Sequence, residues 1–125
     1  MFELSQTFHF DAAHTLKRAV SPEEAAGSRR IHGHTYLAEV TLRGQRDAVT
    51  GMVVDLARLR EVLDGVRRQL DHHFLDEVPG LGPATLENLC LFIHAQVSRE
   101  LPQVSAVSVC RERGGDRCVY RPQAD

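Results

Sequence analysis

Three histidines near the N-terminus are the strongest candidates for metal chemistry in this chain. His32 and His34 are separated only by Gly33. Residues two apart in a β-strand point to the same face, so the two imidazoles can converge on one ion, although an HxH pair alone is a weak signal. His14 follows another predicted strand, which can bring it alongside the pair. Three neutral imidazoles with an open fourth position are typical of catalytic zinc; the alternative is three unrelated surface histidines.

A second group with chemical potential is the pair Asp71 and His72, which follows an amphipathic helical pattern directly. An aspartate beside a histidine can orient the ring and raise its basicity, if the backbone lets the two side chains meet. Histidines are also common at helix ends for electrostatic reasons alone. The residues by themselves leave both interpretations open.

The elements that must position these groups follow from the hydrophobic pattern. Alternating apolar residues indicate strands, and apolar residues at three- and four-residue steps indicate helices. The pattern predicts strands over 2–10 and 34–43, helices over 56–70 and 86–101, and strands over 104–112 and 117–121. The order is ββααββ. Because strands and helices are grouped rather than strictly alternating, we expect an α+β fold with an antiparallel sheet.

Length and composition narrow the class of protein. A chain of 125 residues is expected to form a single domain over 1–125. The net charge of −2 and pI near 6.4 argue against a general nucleic-acid binder. Apolar runs are far short of the roughly 20 residues of a membrane span, and no signal-peptide pattern opens the chain, so the cytoplasm is the expected location. Cys90, Cys110 and Cys118 are predicted to be reduced thiols, with Cys90 in the core.

Six short segments together resemble the 6-pyruvoyl-tetrahydropterin synthase and 6-carboxytetrahydropterin synthase family. They are FDAAH at 10–14, IHGHTY at 31–36, GMVVDLARL at 51–59, LDHHFLDEVPGL at 70–81, PATLENL at 83–89 and RERGGDRCVY at 111–120. The resemblance implies the tunnelling fold (T-fold), in which ββααββ units assemble so that their sheets form a barrel. It also implies a homohexamer made of two trimers, with active sites between subunits.

The resemblance further implies a zinc-dependent lyase that acts on 7,8-dihydroneopterin triphosphate. Bacterial members resembling this chain generally produce 6-carboxytetrahydropterin, acetaldehyde and triphosphate on the route to queuosine, and this is the predicted function. The animal branch forms 6-pyruvoyl-tetrahydropterin instead. Two further alternatives stay open: a zinc enzyme that only cleaves the side chain of a different pterin, and a pterin-binding relative without catalysis.

Seven positions match residues to which the resemblance gives a role. They are the zinc ligands His14, His32 and His34, the proton-relay pair Asp71 and His72, the pterin anchor Glu112, and Thr85 in the pterin-side segment. A carboxylate such as Glu112 can accept two hydrogen bonds from the amino group and ring N–H of a pterin. An exposed strand-end charge is the alternative for Glu112, and a helix N-cap is the alternative for Thr85.

One position departs from the family pattern. Bacterial members carry a catalytic cysteine four residues before the first histidine of HGH, where this chain has Ser28, and the animal cysteine falls on Ala26. A hydroxyl is far less acidic than a thiol, whose pKa is about 8.5. A branch of the family uses a glutamate near this position, but the spacing of Glu23 and Glu24 does not match. Three interpretations stay open: the chain runs an altered reaction in which His72 helps Ser28, the serine replaces a cysteine that was removed, or the protein binds zinc and a pterin in another role.

Five other polar residues have less specific interpretations. His9, between two phenylalanines, is predicted to be an ordinary strand residue that points away from their face. Lys17, Arg18, Arg29 and Arg30 lie in a predicted loop over 15–31. They are either solvated charges or partners of the triphosphate, since arginine and lysine bind phosphate well.

Overall fold

The computed structural model describes residues 1–15, 21–24 and 30–123. Its main elements are the strands β1 (Phe2–His14), β2 (His32–Gly44), β3 (Val104–Arg111) and β4 (Arg117–Tyr120), and the helices α1 (Leu56–Leu70) and α2 (Leu86–Ser98). A 3-10 helix, Leu75–Glu77, lies between the two helices. The predicted ββααββ order and α+β class are confirmed.

The four strands form one antiparallel sheet in the order β1-β2-β3-β4. The first two strands are longer than predicted, because their ladder continues to the pair His14 and His32. The alternation of apolar residues stops before that point, so the pattern could not show the extension. This extra length places the predicted metal ligands inside the sheet rather than in loops beside it.

Apolar side chains from one face of the sheet and from both helices form the core. Asp55 caps α1 by accepting a hydrogen bond from the Ala57 amide (2.9 Å), which satisfies a backbone group that the first turn leaves free. Fully buried members include Phe10, Tyr36, Val40 and Leu42 of the sheet, Leu59 and Leu70 of α1, and Leu89, Cys90, Ile93 and Val97 of α2. The three cysteines are unpaired and Cys90 is buried, as predicted.

The residues that follow α1 lie along the outer edge of β1. The His72 amide donates to the Asp11 carbonyl (2.7 Å), and the Ala13 amide donates to the His73 carbonyl (3.3 Å). Phe74 completes a short parallel bridge to Ala13. We call residues 71–74 the edge segment. It fixes the predicted relay pair beside Asp11, three residues before His14 at the end of β1.

Neither helix is long enough to cross a membrane. With 15 and 13 residues, they fall short of the roughly 20 that a spanning helix needs. No helix in the described part of the chain is both long and apolar enough for a span.

Candidate functional site

His14, His32 and His34 come together at one end of the sheet, as predicted; we call them the histidine cluster. His14 lies directly opposite His32 in the ladder, and His34 faces Ala12 one step along. All three side chains therefore lie on the face of the sheet that packs against the core. Their ring centroids are 4.3 to 5.2 Å apart, and one ligand atom from each lies within 4.8 Å of the others.

The ring nitrogens of the histidine cluster are placed so that they could hold a cation. Nδ1 of His14 donates to the Thr15 carbonyl (3.2 Å) and Nδ1 of His32 to the Arg30 carbonyl (2.8 Å). Such bonds place the proton on Nδ1 and leave the Nε2 lone pair for a metal. Nε2 of His14 and Nε2 of His34 are buried without a hydrogen-bond partner, which is costly unless a ligand satisfies them.

Electrostatics also favour the neutral form that binds metal. Burial lowers the pKa of His14 below its usual range. Burial lowers the pKa of His34 to about 4, and the positive charge of Arg111 adds to the shift. Neutral imidazole nitrogens are good zinc ligands. The histidine cluster, with no fourth His, Cys, Asp or Glu among the described residues, therefore fits a zinc ion with an open position.

A cleft of about 690 Å³ opens beside the histidine cluster; we call it the main cleft. Its walls come from the ends of β1 and β2, from the edge segment, and from the turn after β3. The lining residues include His34, Thr35, His72, His73, Arg111 and Arg113. The main cleft thus brings a predicted metal ligand and a predicted relay residue to one space large enough for a small organic ligand.

Asp71 and His72 differ in how firmly they are held. Asp71 accepts a hydrogen bond from the Asp11 amide (2.9 Å) and forms an ion pair with Arg67 (2.8 Å). Nδ1 of His72 is 3.9 Å from the Asp71 carboxylate, and the His72 side chain is 80% exposed. That separation is too long for a hydrogen bond. The pair is adjacent, as predicted, but Asp71 anchors the edge segment while His72 faces the main cleft.

His72 has an unusual backbone conformation. Its φ of 58° is positive, whereas the other positive values in the described residues belong to glycines. Such a conformation costs a non-glycine residue on the order of 1–3 kcal/mol and is found most often at functional sites. Here it accompanies the hydrogen bond from the His72 amide to the edge of β1, and it directs the imidazole into the main cleft.

Glu112 follows β3 and lies on the face of the sheet opposite to the core. Its amide donates to the Thr35 carbonyl (3.3 Å), and its carboxylate accepts a hydrogen bond from Nε2 of His9 (2.6 Å). His9 points away from the core, as predicted, but its pairing with Glu112 was missed. No local sequence signal could reveal it, because the two residues are 103 positions apart.

Thr85 does not line the main cleft. Its hydroxyl accepts a hydrogen bond from the Asn88 amide (3.1 Å), so it caps α2. It lines a second cleft of about 510 Å³ together with Glu87 and Arg117. Arg111 lines both clefts and, among the described residues, is the one that they share.

Ser28 lies outside the described residues, as do Lys17, Arg18 and Arg29. Arg30 is described and exposed, and its carbonyl is the group that orients His32. The roles predicted for Ser28 and for the loop cations therefore stay predictions.

Comparison with known proteins shows the family. The profile described as 6-pyruvoyl tetrahydropterin synthase matches residues 3–123. The chain belongs to this family. The dihydroneopterin monophosphate aldolase of Pyrococcus furiosus is 36% identical over 93 residues, which cover 74% of this chain and 72% of that protein. The 6-carboxy-5,6,7,8-tetrahydropterin synthase of Synechocystis is 32% identical over 115 residues, covering 87% and 85%.

The fold of this 6-pyruvoyl tetrahydropterin synthase family member also matches a solved structure. The 6-pyruvoyl tetrahydropterin synthase of Caenorhabditis elegans aligns with a TM-score of 0.84 at 24% identity, covering 98% of this chain and 96% of that one. The predicted T-fold is confirmed. At this identity the match speaks for the fold alone.

Proposed function

We propose that this protein is a zinc-dependent enzyme of the 6-carboxytetrahydropterin synthase type. Its substrate would be 7,8-dihydroneopterin triphosphate and its products 6-carboxytetrahydropterin, acetaldehyde and triphosphate, in queuosine biosynthesis in the cytoplasm. The observation that carries the proposal is the placement of three clustered histidines beside a cleft that His72 also lines.

The histidine cluster would hold the metal. A zinc ion there would act as a Lewis acid toward the hydroxyl groups of the substrate side chain. Burial of His14 and the lowered pKa of His34 keep these nitrogens unprotonated near neutral pH, so protons do not compete with the metal.

The other site residues would bind the substrate and move protons. His72 is exposed in the main cleft and would take or give a proton beside the substrate side chain, while Asp71 fixes the turn that carries it. Glu112 would accept hydrogen bonds from the pterin ring. Arg111 and Arg113 line the main cleft, as His72 does, and their positive charges suit a substrate with a phosphate chain.

A second candidate is cleavage of the side chain of a dihydroneopterin phosphate, as in an aldolase. It is favoured by the 36% identity to the dihydroneopterin monophosphate aldolase of Pyrococcus furiosus. It also agrees with Ser28, because a serine stands where the synthases considered above use a thiol. An aldolase breaks a carbon–carbon bond and releases a carbonyl compound, so its products differ from those of the synthase.

Product analysis separates the two candidates. Zinc-loaded protein is incubated with 7,8-dihydroneopterin triphosphate and, separately, with the monophosphate, and pterin products and aldehydes are identified by mass spectrometry. Acetaldehyde with 6-carboxytetrahydropterin from the triphosphate supports the synthase. A phosphorylated aldehyde from the monophosphate supports the aldolase. Absence of turnover with both, together with tight pterin binding, would support the non-catalytic alternative. The His32→Ala variant controls for contaminating enzymes.

We also propose a homohexamer. In a single chain, β1 and β4 are the outer strands of the sheet, and the edge segment covers β1 only near residues 11–13. Open edges of this kind are typically closed by pairing with another chain. Multi-angle light scattering should give about six times the 14.0 kDa chain mass. A stable monomer at micromolar concentration would contradict the proposal.

A further inference from the structure

His9 makes a short polar contact to Glu112, the residue proposed to bind the pterin ring. Its Nε2 lies 2.6 Å from Oε1 of Glu112. Since a carboxylate only accepts, Nε2 carries the proton and donates. The residue opposite His9 on β2 is the apolar Leu37, so the imidazole bridges β1 to the residue after β3 across the intervening strand.

Without this contact, Glu112 would be a long side chain on an open surface. Glu112 is 44% exposed and His9 57% exposed, and the backbone contact of Glu112 to Thr35 does not involve its carboxylate. A free glutamate samples several rotamers, and fixing them on binding costs affinity. A hydrogen bond that already fixes the carboxylate lowers this cost.

We propose that His9 is a positioning residue, which holds the Glu112 carboxylate ready for a ligand that presents two adjacent N–H groups. This inference rests on the proposed function, where Glu112 anchors the pterin ring. Occupation of Oε1 by His9 does not block that role. Each carboxylate oxygen has two lone-pair sites, so Oε1 can accept from His9 and from the ligand while Oε2 stays free.

The chemistry of the pair also predicts which rings bind. An ionised carboxylate that His9 holds in place can accept two hydrogen bonds from a pterin, one from the 2-amino group and one from the neighbouring ring N–H. A ring with a carbonyl in place of the amino group presents a lone pair to the carboxylate and is repelled. His9 therefore contributes to selection between 2-amino and 2-oxo rings, because a fixed carboxylate cannot rotate away from the wrong partner.

Calorimetry with 7,8-dihydroneopterin on zinc-loaded protein tests the inference. His9→Ala should weaken binding roughly tenfold, about the effect of one newly immobilised side chain. His9→Gln should restore most of the affinity, because its amide nitrogen can stand near the position of Nε2 and donate. Thr7→Ala, an exposed change two residues away on the same strand, is the matched control and should bind as the parent does.

A double variant shows whether His9 acts through Glu112. If it does, His9→Ala adds no further loss in a Glu112→Ala background. Zinc content measured on every variant shows that the fold and histidine cluster remain. Unchanged affinity in His9→Ala, with binding lost in Glu112→Ala, would overturn the role of His9 and leave the proposed function standing. Unchanged affinity in Glu112→Ala would overturn both His9 and the pterin anchor.

Discussion

The histidine cluster and the edge segment both border the main cleft, but their histidines differ in exposure to solvent. His14 is 1% exposed, whereas the His72 side chain is 80% exposed. The cluster stands on two strands of a continuous ladder, while His72 stands on a turn held to the edge of β1 by hydrogen bonds. Both regions offer imidazoles to one space, but with different freedom and different contact with water.

This difference suits the two regions to different tasks. Burial keeps an imidazole neutral and aims its lone pair, which favours metal binding. Exposure leaves an imidazole within reach of water and of a ligand in the cleft, which favours proton transfer. Histidine is the residue type in both regions, so under the proposed function the position in the fold would determine the role.

Loss of a cluster histidine is expected to have the largest effect. His32→Ala should reduce zinc from one per chain to near zero, because two remaining imidazoles make a weak site. The measurement is metal content by plasma mass spectrometry after dialysis. His73→Ala removes a cleft histidine outside the cluster and should keep full zinc. One zinc per chain in His32→Ala would contradict the role of the histidine cluster in metal binding.

A substitution in the edge segment should separate chemistry from stability. His72→Gly is expected to lower turnover by about 10²–10⁴-fold, the usual loss when a general acid or base is removed. Its φ of 58° suits glycine, so the free energy of unfolding should not fall. Steady-state kinetics, urea titration and zinc analysis measure the three quantities. Loss of zinc together with turnover would show that the two regions are not independent.

Ser28 tests whether a thiol improves the site. If the chemistry is that of the synthases, Ser28→Cys should raise turnover of dihydroneopterin triphosphate on the order of 10²-fold, at the low end of what acid–base steps contribute. A thiol near its pKa of about 8.5 is a far better base than a hydroxyl. Ser28→Ala is the control for size. Equal or lower turnover in Ser28→Cys would favour different chemistry or binding alone.

The smallest effect is expected at a contact that lies beside both regions. Asp76 accepts hydrogen bonds from the amide (2.9 Å) and hydroxyl of Thr15, the residue after His14. Asp76→Ala should lower the free energy of unfolding by about 1 kcal/mol and leave zinc in place. The neighbouring Glu77→Ala is an exposed control. A loss of zinc in Asp76→Ala would mean that this contact, and not the ladder alone, positions His14.

The sequence predicted the element order well because the pattern is local. Alternation in β1 and β2 and helical spacing in α1 are set by residues within a few positions of each other. It also predicted that His32 and His34 share a face, since that follows from strand geometry alone. The extension of the first ladder to His14 could not be predicted, because it depends on pairing between strands.

The sequence by itself determined the α+β fold and the types of side chain available for chemistry, since composition and hydrophobic period are properties of the chain. The resemblance of six segments to a known family indicated the family. Only the tertiary structure decided what each side chain contacts. Asp71 binds the Asp11 amide rather than the ring of His72, and His9 reaches Glu112. Such contacts join residues 60 and 103 positions apart, and their geometry exists only after the sheet and helices have packed.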